Sequence, residues 1–246
     1  GTCTQGTGTC PTWTGGKYGS ALSFDGVDDY IKYEYKMGLP NHMTVSVWIK
    51  TTSTTSQGIL SKYHNHGYYQ YKLYQNSDGT ISFAIGRDAV GGEPGFTTTV
   101  TSQSSVNDGK WHHIVGSYDQ RYLRIFIDGK KEGEVEETRE TGSDYHFCIG
   151  VVRWNCVGSY AGMNYFSGSI DEVRLYARTL SEKEIKTLYE WGPPPILHLK
   201  FDEKKGQYAY DSSGNGNDGI LGGKAISESS DPTWRSARLC KYGGCL

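Results

Sequence analysis

The sequence of 246 residues has no long apolar run, and none approaches the roughly 18–20 consecutive apolar residues that span a bilayer. It opens on Gly1 without a charged segment followed by an apolar one, the pattern of a leader peptide. It also lacks an excess of either charge, because 25 Lys and Arg oppose 27 Asp and Glu, for a net charge of −2. No positive field is therefore present to hold a phosphate backbone. We expect a chain that is soluble, already processed or cut from a longer protein, with no nucleic-acid partner and no membrane insertion.

Signatures of catalysis are absent as well. We find no G-x-S-x-G elbow, no phosphate-binding loop and no Cys/His nucleophile arrangement. Sugar hydrolysis needs two facing carboxylates about 5–9 Å apart, and the nearest approach, Asp171 with Glu172, puts adjacent residues on opposite faces of a strand. His112 and His113 face apart for the same reason and cannot hold one ion together. The sequence predicts a protein that is not an enzyme.

No C-x-x-C pair occurs, and the immediate neighbours of the cysteines are not histidines, so zinc is disfavoured. An even number of cysteines favours disulfides instead, and with them an oxidising, extracellular or cell-surface location. The cysteines are Cys3, Cys10, Cys148, Cys156, Cys240 and Cys245. Cys148 and Cys156 flank a short segment with Gly and Asn, and we predict that they bridge each other. The pairing of the four cysteines near the chain ends stays open.

Glycine and tyrosine are abundant, at 33 and 19 residues, which is typical of many short strands joined by tight turns. Strand-like runs separated by turn residues favour antiparallel hairpins. The runs are Thr44–Lys50, Tyr68–Gln75, Thr80–Gly86, Trp111–Tyr118 and Tyr122–Ile127. Asn76–Gly79 and Asp128–Gly129 have the composition of turns, and Trp48 and Trp111 are expected in the core.

One segment is predicted to be helical. Ser181 and Glu184 form a capping-box pattern, and Ile185, Leu188 and Tyr189 then share one face. Gly192 and the three prolines that follow it end the helix and mark a domain boundary. We expect a first domain over residues 1–192 and a second segment over residues 193–246.

Ordered motifs in the first domain resemble the concanavalin-A-like laminin-G superfamily. They are Gly19–Tyr30 (GSALSFDGVDDY), Thr44–Ile49 (TVSVWI), Trp111–Ile114 with Ile127–Gly129, and Gly168–Tyr176 (GSIDEVRLY). The resemblance implies an all-β, two-sheet antiparallel jelly-roll sandwich of a kind that is often secreted and often carried in tandem or beside enzymes.

The family's usual opening is displaced to the end of this chain. An opening strand resembles Ile196–Asp202, and the loop that follows it resembles Asp211–Gly219. Near the start, Pro11–Trp13 and Lys17–Gly19 are repeated at the end as Pro232–Trp234 and Lys241–Gly243. Either the chain is a fragment of a tandem array of such domains, or residues 193–246 supply the strand that the first domain lacks.

A supplied strand can come from the same chain or enter a neighbouring copy, because an unpaired sheet edge accepts an added strand. A head-to-tail contact that does not close makes a fibre. Our first hypothesis is therefore an extracellular, non-catalytic structural or adhesive protein that assembles head to tail by strand complementation. An ordinary monomer is the alternative.

A second hypothesis is a calcium-dependent carbohydrate-binding module of a larger secreted protein. Asp211, Ser213 and Asn215 before Gly216 copy the first half of a calcium loop. We expect Asn217 or a backbone carbonyl to complete the shell, and the resemblance implies Asp171 as a partner. The alternative explanation of this loop is that Asn and Gly only form turns.

Three further carboxylates crowd around Gly26, at Asp25, Asp28 and Asp29. Carboxylates this close together repel one another unless a cation or backbone N–H donors neutralise the charge. Asp25 is therefore also a candidate metal ligand. A solvated turn capped by Asp side chains is the commoner arrangement and the one that we expect.

Aromatic side chains supply candidate sugar contacts at Tyr63, Tyr68, Trp154 and Tyr160. Amphipathic rings stack on saccharides while their polar atoms bond outward. Cross-strand pairing on a sheet is an equally good explanation for any one of them.

Overall fold

The computed structural model describes residues 10–33, 42–63, 69–87, 95–141, 146–152 and 165–190, and the short strands at 208–209 and 219–220. The chain divides into two compact units, Gly1–Glu190 and Trp191–Leu246. The strands are β1 (Thr12–Gly15), β2 (Ser20–Asp25), β3 (Ile31–Tyr33), β4 (His42–Lys50), β5 (Gln57–Tyr63), β6 (Tyr69–Gln75), β7 (Thr80–Arg87), β8 (Phe96–Ser105), β9 (Trp111–Asp119), β10 (Tyr122–Ile127), β11 (Lys130–Glu136), β12 (His146–Ile149), β13 (Ser167–Tyr176), β14 (Tyr208–Ala209) and β15 (Gly219–Ile220). The helix is α1 (Glu182–Glu190).

Two antiparallel sheets form the first unit. The seven-stranded sheet has the order β1-β2-β13-β4-β9-β10-β11, and the six-stranded sheet has the order β3-β12-β5-β6-β7-β8. In the second unit β14 and β15 pair antiparallel. The predicted fold class, an all-β two-sheet sandwich with one short helix, is confirmed.

The core lies between the two sheets. Strand β4 consists almost wholly of apolar or small residues because both of its faces are buried. Val45, Val47 and Ile49 face the six-stranded sheet and belong to the main core cluster. Trp48 faces the other way, yet it is 1% exposed, because the ring of Tyr189 from α1 stacks on it with centroids 5.7 Å apart. Burial on both faces removes the alternation that a half-exposed strand would show. Trp111, at the start of β9, is only partly buried, so its expected core position is wrong.

The predicted capping box begins helix α1. The backbone N–H of Glu184 donates to Ser181 Oγ at 3.3 Å, and the N–H of Ser181 donates to Glu184 Oε2 at 2.8 Å. Ile185 is fully buried and packs with Val115, Phe126 and Leu180 on the outer face of the seven-stranded sheet. The helix therefore covers part of that face.

Two predicted turns have the backbone that their residues favour. Gly79 has a φ of 83°, and Asp128 and Gly129 have φ values of 49° and 78°. Such angles suit Gly and are tolerated by Asp. The hairpins β6–β7 and β10–β11 are joined as the sequence predicts.

Candidate functional site

The best-formed polar site is the connection from β2 to β3, which carries the chain from one sheet to the other. We call residues 25–29 the acidic turn. Gly26 has a φ of 80°, and a Cβ atom added there would lie 2.8 Å from the Cβ of Ser167 on β13. Only glycine fits this position, since both its φ and its distance from Ser167 exclude a side chain. The turn thus lies tightly against the neighbouring strand.

The carboxylates of Asp25, Asp28 and Asp29 converge within the acidic turn. One oxygen from each lies within 4.8 Å of the others. Asp25 Oδ1 accepts the backbone N–H of Val27 at 2.7 Å and that of Asp28 at 3.4 Å. This part of the site is the Asp-capped turn that the sequence predicts.

We expected the side chains of this turn to be solvated, but Asp29 is only 4% exposed. Its Oδ2 accepts the backbone N–H of Asp25 at 2.8 Å, whereas its Oδ1 is buried without a hydrogen-bond partner in the described structure. Burial raises the pKa of the Asp29 carboxyl, and the charges of Asp25 and Asp28 raise it further, against the lowering effect of the hydrogen bond from Asp25. Asp29 therefore carries an electrostatic cost that its protein neighbours do not offset.

A buried hydrogen-bond network holds the strand against which the acidic turn packs. The backbone N–H of Ser167 donates to Gln57 Oε1 at 2.9 Å, and Thr51 Oγ1 donates to the carbonyl oxygen of Ser167 at 2.6 Å. Gln57 in turn donates to Gln75 Oε1 at 3.1 Å. These contacts join both sheets at one end of the sandwich and fix the position of Ser167.

An apolar cleft opens at the edge of the sandwich and has a volume of about 210 Å³. Residues from both sheets line it, among them Leu22, Phe24, Ile31, Ile149, Ile170 and Val173. Leu22, Ile31 and Val173 are only partly buried, and Trp13 on the edge strand β1 lines the same cleft with 76% of its surface exposed. We call this region the edge cleft.

Asp171 also lines the edge cleft, at a different place from the acidic turn. On the β2–β13 ladder Asp25 lies opposite Ser167, so Asp171 is four residues further along β13, a distance of about 13 Å. Asp171 Oδ2 accepts the backbone N–H of Tyr18 at 3.1 Å, and Oδ1 accepts that of Glu172 at 2.8 Å. Its carboxylate thus fastens the β1–β2 connection to β13.

Other predicted site residues lie outside the described part of the chain. They are Asp211, Ser213, Asn215, Asn217, Tyr68, Trp154, Tyr160, Cys3, Cys156, Cys240 and Cys245. The backbone of Tyr63 ends β5 in the six-stranded sheet. Cys10 and Cys148 are each disulfide-bonded, but no disulfide has both of its cysteines among the described residues. The pairing of Cys148 with Cys156 stays a prediction.

The two adjacent histidines lie in different environments. His112 is paired through Nδ1 with Asp128 at 2.8 Å and through Nε2 with Asp108 at 3.0 Å. His113 is fully buried, and its Nε2 lies 2.8 Å from Ser46 Oγ. Hydrogen bonds of the His112 ring to the carboxylates of Asp128 and Asp108 raise the pKa of His112, the bond to Asp128 having the larger effect, and burial lowers the pKa of His113 to about 4. Neither arrangement gathers the two rings around one ion.

The family model described as "Concanavalin A-like lectin/glucanases superfamily" matches residues 25–186, well over half of the chain. The chain belongs to this superfamily. Because the name of the superfamily spans lectins and glucanases, membership does not by itself decide between binding and catalysis. Laminin G domains of this kind occur in adhesion and binding proteins and are typically extracellular.

A relative in sequence is the adhesion G-protein coupled receptor V1 of Danio rerio, 23% identical over 160 residues. The match covers 64% of this chain and 2% of the receptor, so the chain spans a small part of that protein. No helix in the described part of this chain has both the length and the apolar character needed to cross a membrane.

Several solved structures share the fold of this chain at low sequence identity. A heptameric pentraxin from Limulus polyphemus has a TM-score of 0.55 and 16% identity, covering 69% of this chain and 81% of its own. Domain 4 of a Geobacillus stearothermophilus arabinanase, solved in complex with arabinotriose, has a TM-score of 0.55 and 21% identity, with coverages of 73% and 81%. Domains LG4–5 of the mouse laminin α1 chain have a TM-score of 0.52 and 18% identity, with coverages of 65% and 44%.

Proposed function

We propose that this chain is an extracellular, non-catalytic adhesive module that assembles with further copies of itself. The observation that carries this proposal is the edge cleft, an apolar surface open to solvent and flanked by the exposed ring of Trp13. Exposed apolar surfaces of this kind mark sites of macromolecular contact.

The occupant that we propose for the edge cleft is the segment 196–201 of a second copy. In an extended strand Leu197, Leu199 and Phe201 share one face, and that face is wholly apolar. An apolar strand face matches an apolar cleft between two sheets, and the strand can also pair with a free sheet edge. Each copy carries one donor segment and one cleft, so the contact propagates head to tail into a fibre.

Assembly is tested on the full chain by size-exclusion chromatography with light scattering and by electron microscopy. We expect concentration-dependent oligomers for the wild type. Trp13→Ser and Leu199→Ser weaken them, because each removes apolar area from one side of the contact.

Two variants serve as matched controls. Val27→Ser removes the other large exposed hydrophobic side chain of the described residues, 69% exposed in the acidic turn. Lys200→Ser alters the opposite face of the donor strand. Both should assemble like the wild type. A monomer at all concentrations would refute the assembly proposal.

Calcium-dependent carbohydrate binding is the second candidate. It is supported by the acidic turn and by the arabinanase domain that was solved with arabinotriose. The outer face of the six-stranded sheet carries aromatic and hydroxyl groups: Nζ of Lys72 lies 5.0 Å from the centre of the Tyr74 ring, and the hydroxyl of exposed Thr101 lies 2.8 Å from that of buried Ser82. The predicted calcium ligands at Asp211, Ser213, Asn215 and Asn217 remain part of this proposal.

A glycan array with calcium and with chelator tests the second candidate. We expect at least one saccharide whose binding needs calcium. Tyr68→Ala and Trp154→Ala should weaken that binding by several-fold to about tenfold, the loss of one stacked ring. Tyr122→Ala, on the seven-stranded sheet, should leave it unchanged. An array without any calcium-sensitive ligand would count against this candidate and leave the assembly proposal intact.

A further inference from the structure

The ring of Tyr189 docks the last turn of helix α1 onto the outer face of the seven-stranded sheet. It stacks on Trp48 of β4, with ring centroids 5.7 Å apart and planes inclined by 18°, and on the imidazole of His113 of β9, at 6.2 Å and 22°. Gly129 makes room for the ring, because a Cβ atom there would lie 3.2 Å from Cδ1 of Tyr189. Tyr189 is only partly buried, so it acts as a cover between the sheet and solvent.

His113 lies beneath this cover with no exposed surface. Its Nε2 lies 2.8 Å from Ser46 Oγ, whereas its Nδ1 is buried without a hydrogen-bond partner among the described residues. A neutral imidazole carries one proton, but an imidazolium carries a proton on both nitrogens. Protonation in the docked structure would therefore leave Nδ1–H as a buried, charged donor without an acceptor, which is strongly unfavourable.

The charged groups around His113 do not supply that acceptor. Asp128, in the turn between β10 and β11, accepts the backbone N–H of His113 with Oδ1 and pairs with the ring of His112 through Oδ2, both at 2.8 Å. Arg174 of β13 adds a positive charge, and α1 faces the imidazole with Tyr189. Burial lowers the pKa of His113 to about 4; the charge of Asp128 opposes this effect and that of Arg174 adds to it.

We propose that protonation of His113 releases the last turn of α1 from the sheet. Withdrawal of the Tyr189 ring admits water, which accepts the Nδ1–H and hydrates the charge at the loss of the two ring contacts. Exposure of His113 by separation of the strands would instead break the ladders that β9 forms with β4 and β10. Local opening at the end of an element needs much less free energy than global unfolding.

The released turn is the one that leads into the second unit, because α1 ends at Glu190 and the second unit begins at Trp191. Acid therefore frees the chain segment that precedes the second unit while the sandwich stays folded. We call the contact of Tyr189 with Trp48 and His113 the acid latch. It works in a single copy of the chain and depends neither on assembly nor on glycan binding.

The steepness of the release follows from proton linkage. In the released form His113 is solvated and has an ordinary pKa of about 6.5, whereas in the docked form its pKa is about 4. The released form thus binds one more proton between these two values. The ratio of released to docked chains should rise about tenfold per pH unit as the pH falls from about 6.5 toward 4, and should be constant above pH 6.5.

Hydrogen exchange of the full chain, measured by mass spectrometry between pH 4 and 8 and corrected for the intrinsic exchange rate, tests the acid latch. Protection of a peptide over residues 182–190 should fall about tenfold per pH unit below pH 6.5, while strand β7 stays protected. His113→Gln cannot take up the proton and should remove this dependence, whereas His42→Gln, at an exposed histidine of β4, should keep it. The proposal is overturned if the dependence survives in His113→Gln, or if β7 loses protection together with the helix.

NMR titration of the imidazole is a second measurement that keeps His113 in place. Tyr189→Ala removes the cover, so the pKa of His113 should rise from about 4 toward the ordinary value of about 6.5. The helix end should then be unprotected at pH 7 as well. Tyr189→Phe keeps the stacked ring and should match the wild type, as should Thr187→Ala at an exposed position of α1. An unchanged titration of His113 in Tyr189→Ala would also overturn the proposal.

Discussion

Calcium binding at the acidic turn, which the second candidate function requires, depends most on Asp29, and substitution of this residue should have effects of opposite sign on stability with and without calcium. In chelator, Asp29→Asn removes a buried charge and its repulsion with Asp25 and Asp28, while the amide oxygen still accepts the N–H of Asp25. We expect this variant to be more stable than the wild type by about 1 kcal/mol without calcium. With calcium at about 100 times its Kd, the wild type gains about 2.7 kcal/mol and becomes the more stable protein.

Chemical denaturation of both proteins with and without calcium measures this change of order. Asp25→Asn is a useful companion, because Asp25 is exposed and its substitution removes a ligand without removing a buried charge. It should lose the calcium response without the gain in chelator. If Asp29→Asn is less stable than the wild type in chelator, Asp29 serves the fold as a charged residue and the orphaned oxygen has another explanation.

The adjacent histidines should give opposite dependences of stability on pH. The raised pKa of His112 means that its paired, charged form stabilises the fold below about pH 6.5, and that this contribution is lost as the pH rises through the folded-state value. The pKa of buried His113, lowered to about 4, means that its contribution is present above about pH 6.5 and is lost as the pH falls toward 4. The stability contributed by this pair is therefore highest near pH 6.5.

Urea unfolding between pH 4 and 8 separates the two effects. His112→Asn should remove the decline above pH 6.5, and His113→Asn should flatten the decline below it, although it also lowers stability throughout. His42→Asn, at an exposed histidine that begins β4, should keep the wild-type profile. A decline above pH 6.5 that survives in His112→Asn would show that the pairing with Asp128 contributes nothing.

At the scale of elements, the two sheets approach each other closely at Gly116 on β9. A Cβ atom there would lie 2.5 Å from Cγ of the Phe83 ring on β7. Gly116→Ala must therefore push the ring or separate the sheets, and we expect a loss of about 1–3 kcal/mol in the free energy of unfolding. Gly15→Ala on β1 meets open space and should change stability by less than about 0.5 kcal/mol. Equal effects of both substitutions would contradict this packing.

Several interior strands could be predicted from the sequence, whereas the exposed edge strands β1 and β11 could not. The apolar residues of β4, β6, β7, β9 and β10 carry the signal of burial, and each of these strands was predicted within two residues of its bounds. Strand β11, with the sequence KKEGEVE, has exposed or partly exposed side chains throughout. It pairs with β10, but its sequence lacks the alternation of apolar and polar residues that would indicate a strand. Strand β1 is exposed in the same way.

The candidate site shows the same limit. The local part of the acidic turn, with Asp25 capping Val27, follows from nearby residues and was predicted. The burial of Asp29 depends on distant ones, because Gly150 brings its backbone within reach of Phe24 and of the Asp29 carbonyl, and Ser167 packs against Gly26. The edge cleft likewise needs strands from both ends of the first unit. Local sequence patterns do not indicate contacts between residues that lie so far apart in the sequence.

At the scale of the whole molecule, head-to-tail assembly makes a prediction that a symmetric dimer does not. A chain with Trp13→Ser has a weakened cleft and an intact donor strand, whereas a chain with Leu199→Ser has an intact cleft and a weakened donor. Neither should form long assemblies alone. When the two are mixed, one strong contact remains available, between the donor of the first and the cleft of the second. The mixture should therefore give one-to-one heterodimers that grow no further.

Light scattering of the mixture, with one variant carrying a mass tag, measures this outcome. In a head-to-tail contact each copy uses two different surfaces, its donor strand and its cleft. A mixed pair therefore has a weakened cleft at one end and a weakened donor at the other, and no further copy can add to it. A symmetric contact would use the same surface on both copies, and a defect in either partner would weaken the mixed pair as much as the pure one. Heterodimers at equal concentration, with Val27→Ser mixed with Lys200→Ser still forming long assemblies, would establish the polarity. Mixed chains that stay monomeric would exclude it.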